Sequence, residues 1–427
     1  MAASLQLPIL TLAVREQHYS CHGCGNCCRD FTVQLRDEDV AKLEAQGWEQ
    51  KLGQPVTVKF RGQTYLRQRA DGACIFLMEN GLCRVHAEHG FAEKPIACQL
   101  FPFHLTPSSK HGLTMGINFA CQSVLENKGA DLRTHNNDLG RMGGLLAELH
   151  APSAPPRLDD SLRASMREVE SLTRHIDDWL RLTDLSLSIR LDGLAWIIGS
   201  LTRAKLQNVR EEKFNDLLDV LFAALPDELE HYPIEAAAPR QRRMLRQAVF
   251  ARTEDPKLNR IAAQGQIRLR LSQLMRSRRF KAGKGIAPKI GVDWPENLRL
   301  ETIEHIAPAS DPQSSGEIDD LMTRYLRASI LGGRGWGAGY YSWPMISGLQ
   351  ALVLNIAVIG WLSRLHAAGA QRQALDIVDV RAALGRVDRS AGRAKWLGGT
   401  VEKLRLRYLN MDDGLRRVIA AYPLNAG

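Results

Sequence analysis

The chain has 427 residues, of which 44% are hydrophobic and 24% charged. That length supports two or three domains with buried cores, and that composition excludes collagen-like, low-complexity and wholly disordered chains. The net charge of +9 suggests a polyanion partner only until it is located. Residues 240–289 hold 15 Lys or Arg and two acids, Glu254 and Asp255, while the other 377 residues are slightly acidic, with 41 basic and 45 acidic side chains.

The first 125 residues read as short, irregular elements set apart by Gly and Pro. Residues 5–14 and 55–66 (PVTVKFRGQTYL) carry the β-branched, partly alternating pattern of strands. Residues 37–46 predict a short helix capped by Asp37. A polar, proline-bearing stretch at 151–157 (APSAPPR) is the best linker candidate. Beyond it the apolar positions fall at helical spacing: Leu162, Met166, Val169, Leu172, Ile176 and Trp179, then Leu187, Leu191, Leu194, Ile198 and Leu201. Phe214, Leu217, Leu218, Leu221 and Phe222 come next, then Ile318, Leu321, Met322, Tyr325 and Leu326. Near the end, Trp396, Val401, Leu404 and Tyr408 predict one more packed face. Residues 345–362 run 18 residues without a charge, but Ser347, Gly348, Gln350, Asn355 and Gly360 suit a buried helix started by Pro344 better than a membrane span.

All eight cysteines lie between Cys21 and Cys121. Residues 1–14 have no basic n-region, and Pro8 breaks their apolar run, so the expected setting is a reducing cytoplasm, where clustered thiols bind metal more often than they pair. The run Cys21-His22-Gly23-Cys24-Gly25-Asn26-Cys27-Cys28 places thiols two residues apart around glycines suited to tight turns. C-x2-C-x2-C matches the opening of bacterial ferredoxin ligation, and C-x2-C also suits zinc. Side chains of adjacent residues normally diverge, so Cys27 and Cys28 are expected to serve two nearby sites, or one to be a packed thiol. With Cys74, Cys83, Cys98 and Cys121 the set can supply two tetrathiolate sites, or one site plus reactive thiols. His18, His22, His86 and His104 are near enough in sequence to replace a sulfur.

The pattern H-x2-C-x2-C-G-x-C-C-R at residues 18–29, followed by G-x-C-x-F-L-x5-C, K-P-x2-C and F-P-F, resembles the YkgJ-type CxxCxxCC family of zinc- or iron-chelating domains. It is more distantly similar to flagellin lysine N-methylases, which join a cysteine-rich N-terminal part to a helical C-terminal part. The resemblance covers residues 15–125 and implies metal-ligand roles for Cys21, Cys24, Cys27, Cys28, Cys74, Cys83 and Cys98, with Cys121 at the trailing position. Where shorter relatives have an aromatic and Arg-Pro after the sixth cysteine, this chain has Val85-His86 and the insert AEHGFAEKP, which is closer to the methylase-like branch. The tight spacing of the first cysteines is of the YkgJ type and departs from the methylase motif.

Residues 332–339 (GGRGWGAG) come after a helical pattern with no acid just upstream, so they predict a helix–helix loop and no nucleotide-binding turn. In 240–289, Leu258, Ile261, Ile267, Leu271 and Leu274 mark one helix face with arginines elsewhere, and no DNA-reading motif accompanies them, so an acidic partner or protein substrate is expected and nucleic acid is not. The expected fold is a small irregular α+β cysteine-rich module at 1–125, a linker at 126–156, and a mostly α-helical domain at 157–427. The expected function is metal binding through an iron–sulfur cluster, 4Fe–4S by preference over zinc. The second reading is a protein-lysine N-methylase using S-adenosylmethionine at that cluster.

Overall fold

In the computed structural model, the residues described are 10–12, 14–60, 62–108, 112–146, 154–231, 233–253, 266–288 and 294–426. The N-terminal part is a small mixture of short strands and helices, and the remainder of the chain is mostly helical. Of the predicted strand at 5–14, Leu10–Leu12 is a strand running parallel to Gly112–Ile117, and residues 5–9 and 13 lie outside the described residues. Gly112–Ile117 pairs in turn, antiparallel, with Phe103–Ser108. Residues 55–66 form a hairpin instead of one strand: Thr57–Phe60 turns back as Gln63–Leu66, with Gly62 at φ +77° between them. The helix Asp37–Ala45 forms as expected, but its cap differs. Asp39, not Asp37, accepts the Arg36 N–H, and its other oxygen accepts the Ile96 N–H at 3.0 Å.

The helical part obeys the apolar spacing closely. Met166–Leu180 begins at a Ser165/Glu168 capping box, Leu187–Arg203 and Pro312–Leu331 bury the predicted stripes, and Glu212–His231 buries Phe214 and Leu218 with Leu217, Leu221 and Phe222 half-buried against the core. Met345–Gly369 is long and apolar enough to cross a membrane, yet its side chains are packed inside the protein, ringed by Leu187–Arg203, Ile377–Ser390 and Gly414–Ala420. Residues 332–339 form the predicted loop between helices. Gly348 carries no Cβ because one would stand 1.9 Å from the Gly335 carbonyl oxygen, so the loop folds flat on the start of the next helix.

One predicted face is not the packed one. In Thr400–Leu409, Val401 and Leu404 are exposed, while Glu402, Arg405, Leu406 and Leu409 turn inward. The inward charges pair with one another: Glu402 lies 2.7 Å from the buried Arg252 and also pairs with Arg405. The basic segment also divides. Pro239–Thr253 is an internal helix whose Arg252 is buried and whose Arg242 pairs with Glu304, whereas Gln266–Ala282 is a surface helix. Leu258 and Ile261 lie outside the described residues, and Ile267, Leu271 and Leu274 face solvent.

Two hydrophobic cores result. The smaller gathers Leu35, Leu43, Trp48, Val56, Leu66, Cys74, Ile75, Phe76 and Val85. The larger runs from Val14 through Phe103–Ile117 and the helices to Leu424. The segment 117–125 is clamped to the helices: Asp388 accepts the Phe119 N–H at 2.7 Å and pairs with Arg334 at 2.8 Å, and Arg334 also donates to the Ile117 carbonyl.

Candidate metal centre

The cysteines occupy four stretches that the fold brings onto neighbouring surfaces. Cys21 and Cys24 are exposed on the glycine-flanked turn, and Cys27 and Cys28 sit half-buried on the short helix Asn26–Asp30. Cys74 is buried in the small core, Cys83 precedes the helix Arg84–His89, and Cys98 lies on Ile96–Leu100. Cys121 precedes Gln122–Leu125 and packs on the large core. Thus Cys28, Cys74, Cys83 and Cys98 belong to the small core, and Cys121 to the large one.

Glycines join the first two cysteine stretches. Gly23 and Gly25 hold φ of +68° and +72°, and Gly81, in the turn before Cys83, holds +83°. A Cβ on Gly81 would stand 2.6 Å from the Gly23 carbonyl oxygen, and one on Gly23 would stand 2.7 Å from Leu82. Only bare backbone allows so close an approach. The Cys74 N–H completes the joint by donating to the Cys28 carbonyl at 2.7 Å.

The adjacent thiols do not diverge. Cys27 and Cys28 Sγ stand 4.0 Å apart, near the roughly 3.8 Å edge of a tetrahedron of thiolates bound at about 2.3 Å. The surroundings disfavour thiolate charge unless a cation offsets it. The hydrogen bond shared with Cys28, followed by burial, pushes Cys27 up. Burial pushes Cys74 up to about 11 and Cys98 further, and in both the nearby Cys83 and Cys27 add to the effect. Burial likewise pushes Cys121 up to about 11, with Cys27 and Cys24 adding to it. Cys27 therefore lies within electrostatic reach of Cys74, Cys98 and Cys121.

Among the described residues no three Cys, His, Asp or Glu side chains stand close enough to enclose an ion as placed. The fit to a metal rests on donor chemistry: soft thiols on neighbouring stretches, of which Cys27, Cys74, Cys98 and Cys121 resist ionising without a cation. The exposed Cys21 and Cys24, on their glycine turn, have the most room to rotate inward.

Among the described residues no histidine completes a group of three ligands with the thiols, and the half-buried His18 donates its backbone N–H to the Asn127 side chain at 2.7 Å. His22 and His86 are exposed, and His86 packs edge-on to Phe91. His104 packs flat on Gly116, its Nε2 3.3 Å from the Gly332 carbonyl, and burial followed by the charge of Arg334 holds it well below its ordinary pKa. Spacing alone does not mark three further neighbours of the thiols. Tyr19 is pushed up by burial and then by Cys21, Cys121 and Cys27. Lys94 lowers both Cys27 and Cys98. Phe31, which closes the Cys27–Cys28 helix, stacks on Phe101 at 5.0 Å and lies under the Arg393 guanidinium at 5.0 Å.

Comparison with known proteins agrees with this chemistry. An uncharacterized protein of Methanocaldococcus jannaschii is 31% identical over 87 residues, which is 20% of this chain and 29% of that protein. The match therefore spans under a third of the relative's length. No solved structure matches the chain. Residues 20–122, which contain all eight cysteines, match the CxxCxxCC family model, described as "Putative zinc- or iron-chelating domain".

Proposed function

We propose that the cysteine module holds an iron–sulfur cluster, most simply a 4Fe–4S cluster, through thiolates drawn from Cys21, Cys24, Cys27, Cys28, Cys74, Cys83, Cys98 and Cys121. The observation that carries this reading is the glycine-zipped joint that sets the C-x2-C-x2-C-C run against the stretch bearing Cys74 and Cys83. Zinc uses the same donors. The ferredoxin-like opening run favours iron. A bound cluster supplies electron-transfer or Lewis-acid chemistry, while the protein's own residues set its access. Phe31 and Phe101 wall one side, and Lys94 offsets thiolate charge at Cys27 and Cys98.

Anaerobic purification followed by iron, sulfide and zinc analysis and a visible spectrum tests this. Iron with equimolar sulfide and a broad visible band are expected. A colourless protein carrying zinc alone overturns the cluster.

A second reading, supported by the likeness to flagellin lysine N-methylases, makes the centre a site for S-adenosylmethionine and the helical part a receiver of a protein lysine. Its supporting observation is the meeting of the two parts at the thiols, where Arg393 of the helical part covers Phe31 beside Cys27 and Cys28. Equilibrium dialysis of S-adenosylmethionine against metal-replete protein separates the readings. Retention lost on chelation supports the methylase, and no retention removes it.

A further inference from the structure

The helix Gln266–Ala282 has two apolar sides. Its inner side is anchored by Phe280, which is fully buried against Phe250, Trp294 and Trp361 at ring distances of 5.9, 6.1 and 5.1 Å. The outer side carries Ile267, Leu271, Leu274 and Met275, which succeed one another at steps of four, three and one residues and so share one side of an α-helix. They are 77%, 56%, 50% and 61% exposed. Scattered exposed leucines are ordinary, but four large apolar side chains in one stripe are not.

The charge around the stripe has one sign. Residues 266–288 contain seven Lys or Arg and no Asp or Glu. Arg278 continues the stripe one turn beyond Leu274, and Arg268 and Arg279 flank it, all three exposed, as is Lys284. Among the described residues none of these four pairs with a carboxylate. The surface is therefore an apolar ridge edged by cations that no described carboxylate pairs, on a chain that is slightly acidic outside residues 240–289. A ridge needs a partner that yields around it, and its uniform positive border needs an extended negative plane. A protein groove would have to match four aliphatic knobs and supply acids along the flanks, whereas an anionic lipid surface does both without shape matching.

We propose that Gln266–Ala282 docks this chain peripherally on anionic lipid headgroups. Ile267, Leu271, Leu274 and Met275 enter the headgroup–acyl boundary, and Arg268, Arg278, Arg279 and Lys284 contact phosphates. The docking does not depend on which metal the cysteine module holds.

The test is flotation of the full-length, metal-replete protein with vesicles of phosphatidylglycerol and phosphatidylcholine in equal parts, beside vesicles of phosphatidylcholine alone. Binding to the anionic vesicles, weak binding to the neutral ones and release by salt are expected. The double variant Leu271→Ser/Leu274→Ser should weaken partitioning about tenfold, and Arg278→Gln or Arg279→Gln about fivefold each. Val220→Ser, an equally exposed apolar change on another helix, should leave it unaltered. Because all these positions are exposed, unchanged thermal unfolding shows that each variant is folded. No binding to anionic vesicles overturns the proposal, as does binding indifferent to the leucine and arginine variants. A dimer in sedimentation that Leu271→Ser dissociates assigns the ridge to a second copy instead. Binding of a DNA duplex that needs Arg278 and Arg279 but not the leucines, without vesicle binding, assigns the charge to nucleic acid.

Discussion

The two cores of this chain differ in how much each can bury. The small core gathers nine buried residues around Trp48 and Phe76, and partly buried Cys28, Cys83 and Cys98 pack at its border. One helix of the large core, Met345–Gly369, buries twenty-one residues by itself. A domain of short elements with so little apolar interior gains order from cross-links or metal, while a helical core of that size stands on packing alone. On the proposed function, the contrast separates the part whose order would rest on metal from the part that would not need it.

The largest effect should come from removing ligands. Cys27→Ser and Cys74→Ser should each release metal, measured by elemental analysis after anaerobic purification, with a loss on the order of 10 kcal/mol of coupled binding and folding energy for the small core. Full retention of metal by both variants would make these thiols ordinary packing groups. Next in size is Asp388→Ala, in the large core. It leaves Arg334 and the Phe119 N–H without their buried partner, so global stability should fall by about 3–5 kcal/mol in denaturant melts while the metal content per folded molecule is unchanged. Gly81→Ala should cost about 1–3 kcal/mol, because it strains a positive φ and drives a Cβ into the Gly23 carbonyl, and it should lower metal content as well.

The same contrast separates what a sequence displays from what only the fold reveals. The helices from 166 to 203 and from 312 to 369 are legible because apolar side chains dominate their buried faces, and the few buried charges among them, such as Glu168, Arg190, Arg324 and Arg364, do not break the period. Thr400–Leu409 misleads because its inward face contains Glu402 and Arg405, and the partner Arg252 lies 150 residues upstream of Glu402 in sequence. No local pattern carries a distant buried ion pair. The eight cysteines are legible as a set. Their spacing does not show the convergence of Cys27 and Cys28, which depends on a glycine turn pressed against Gly81. Arg393 is equally hidden, since it reaches the module from the far end of the chain.

Smaller effects sharpen the difference between the cores. Burial alone would raise Glu168, but Arg210 at 2.7 Å and the N–H groups of Glu211 and Ser165 outweigh it and hold its carboxyl below the usual value. A depressed native pKa means the carboxylate stabilises the fold above its ordinary value, and that contribution is lost as pH falls through the native one. Glu168→Gln should therefore cost about 1–3 kcal/mol at neutral pH and flatten the acid limb of the stability profile, with metal content unaffected. Smallest of all, Leu271→Ser should change stability by no more than about 0.5 kcal/mol, because the side chain is exposed.

Hydrogen exchange on the metal-replete protein before and after anaerobic chelation bears most directly on the division of labour between the two cores. The expected result is that chelation strips protection from the amides around Cys74, Phe76 and Cys98 while Met345–Gly369 exchanges as slowly as before. Unchanged protection in the cysteine module after complete metal removal, or equal loss in both cores, would contradict a metal-held small core resting on an independently stable helical one.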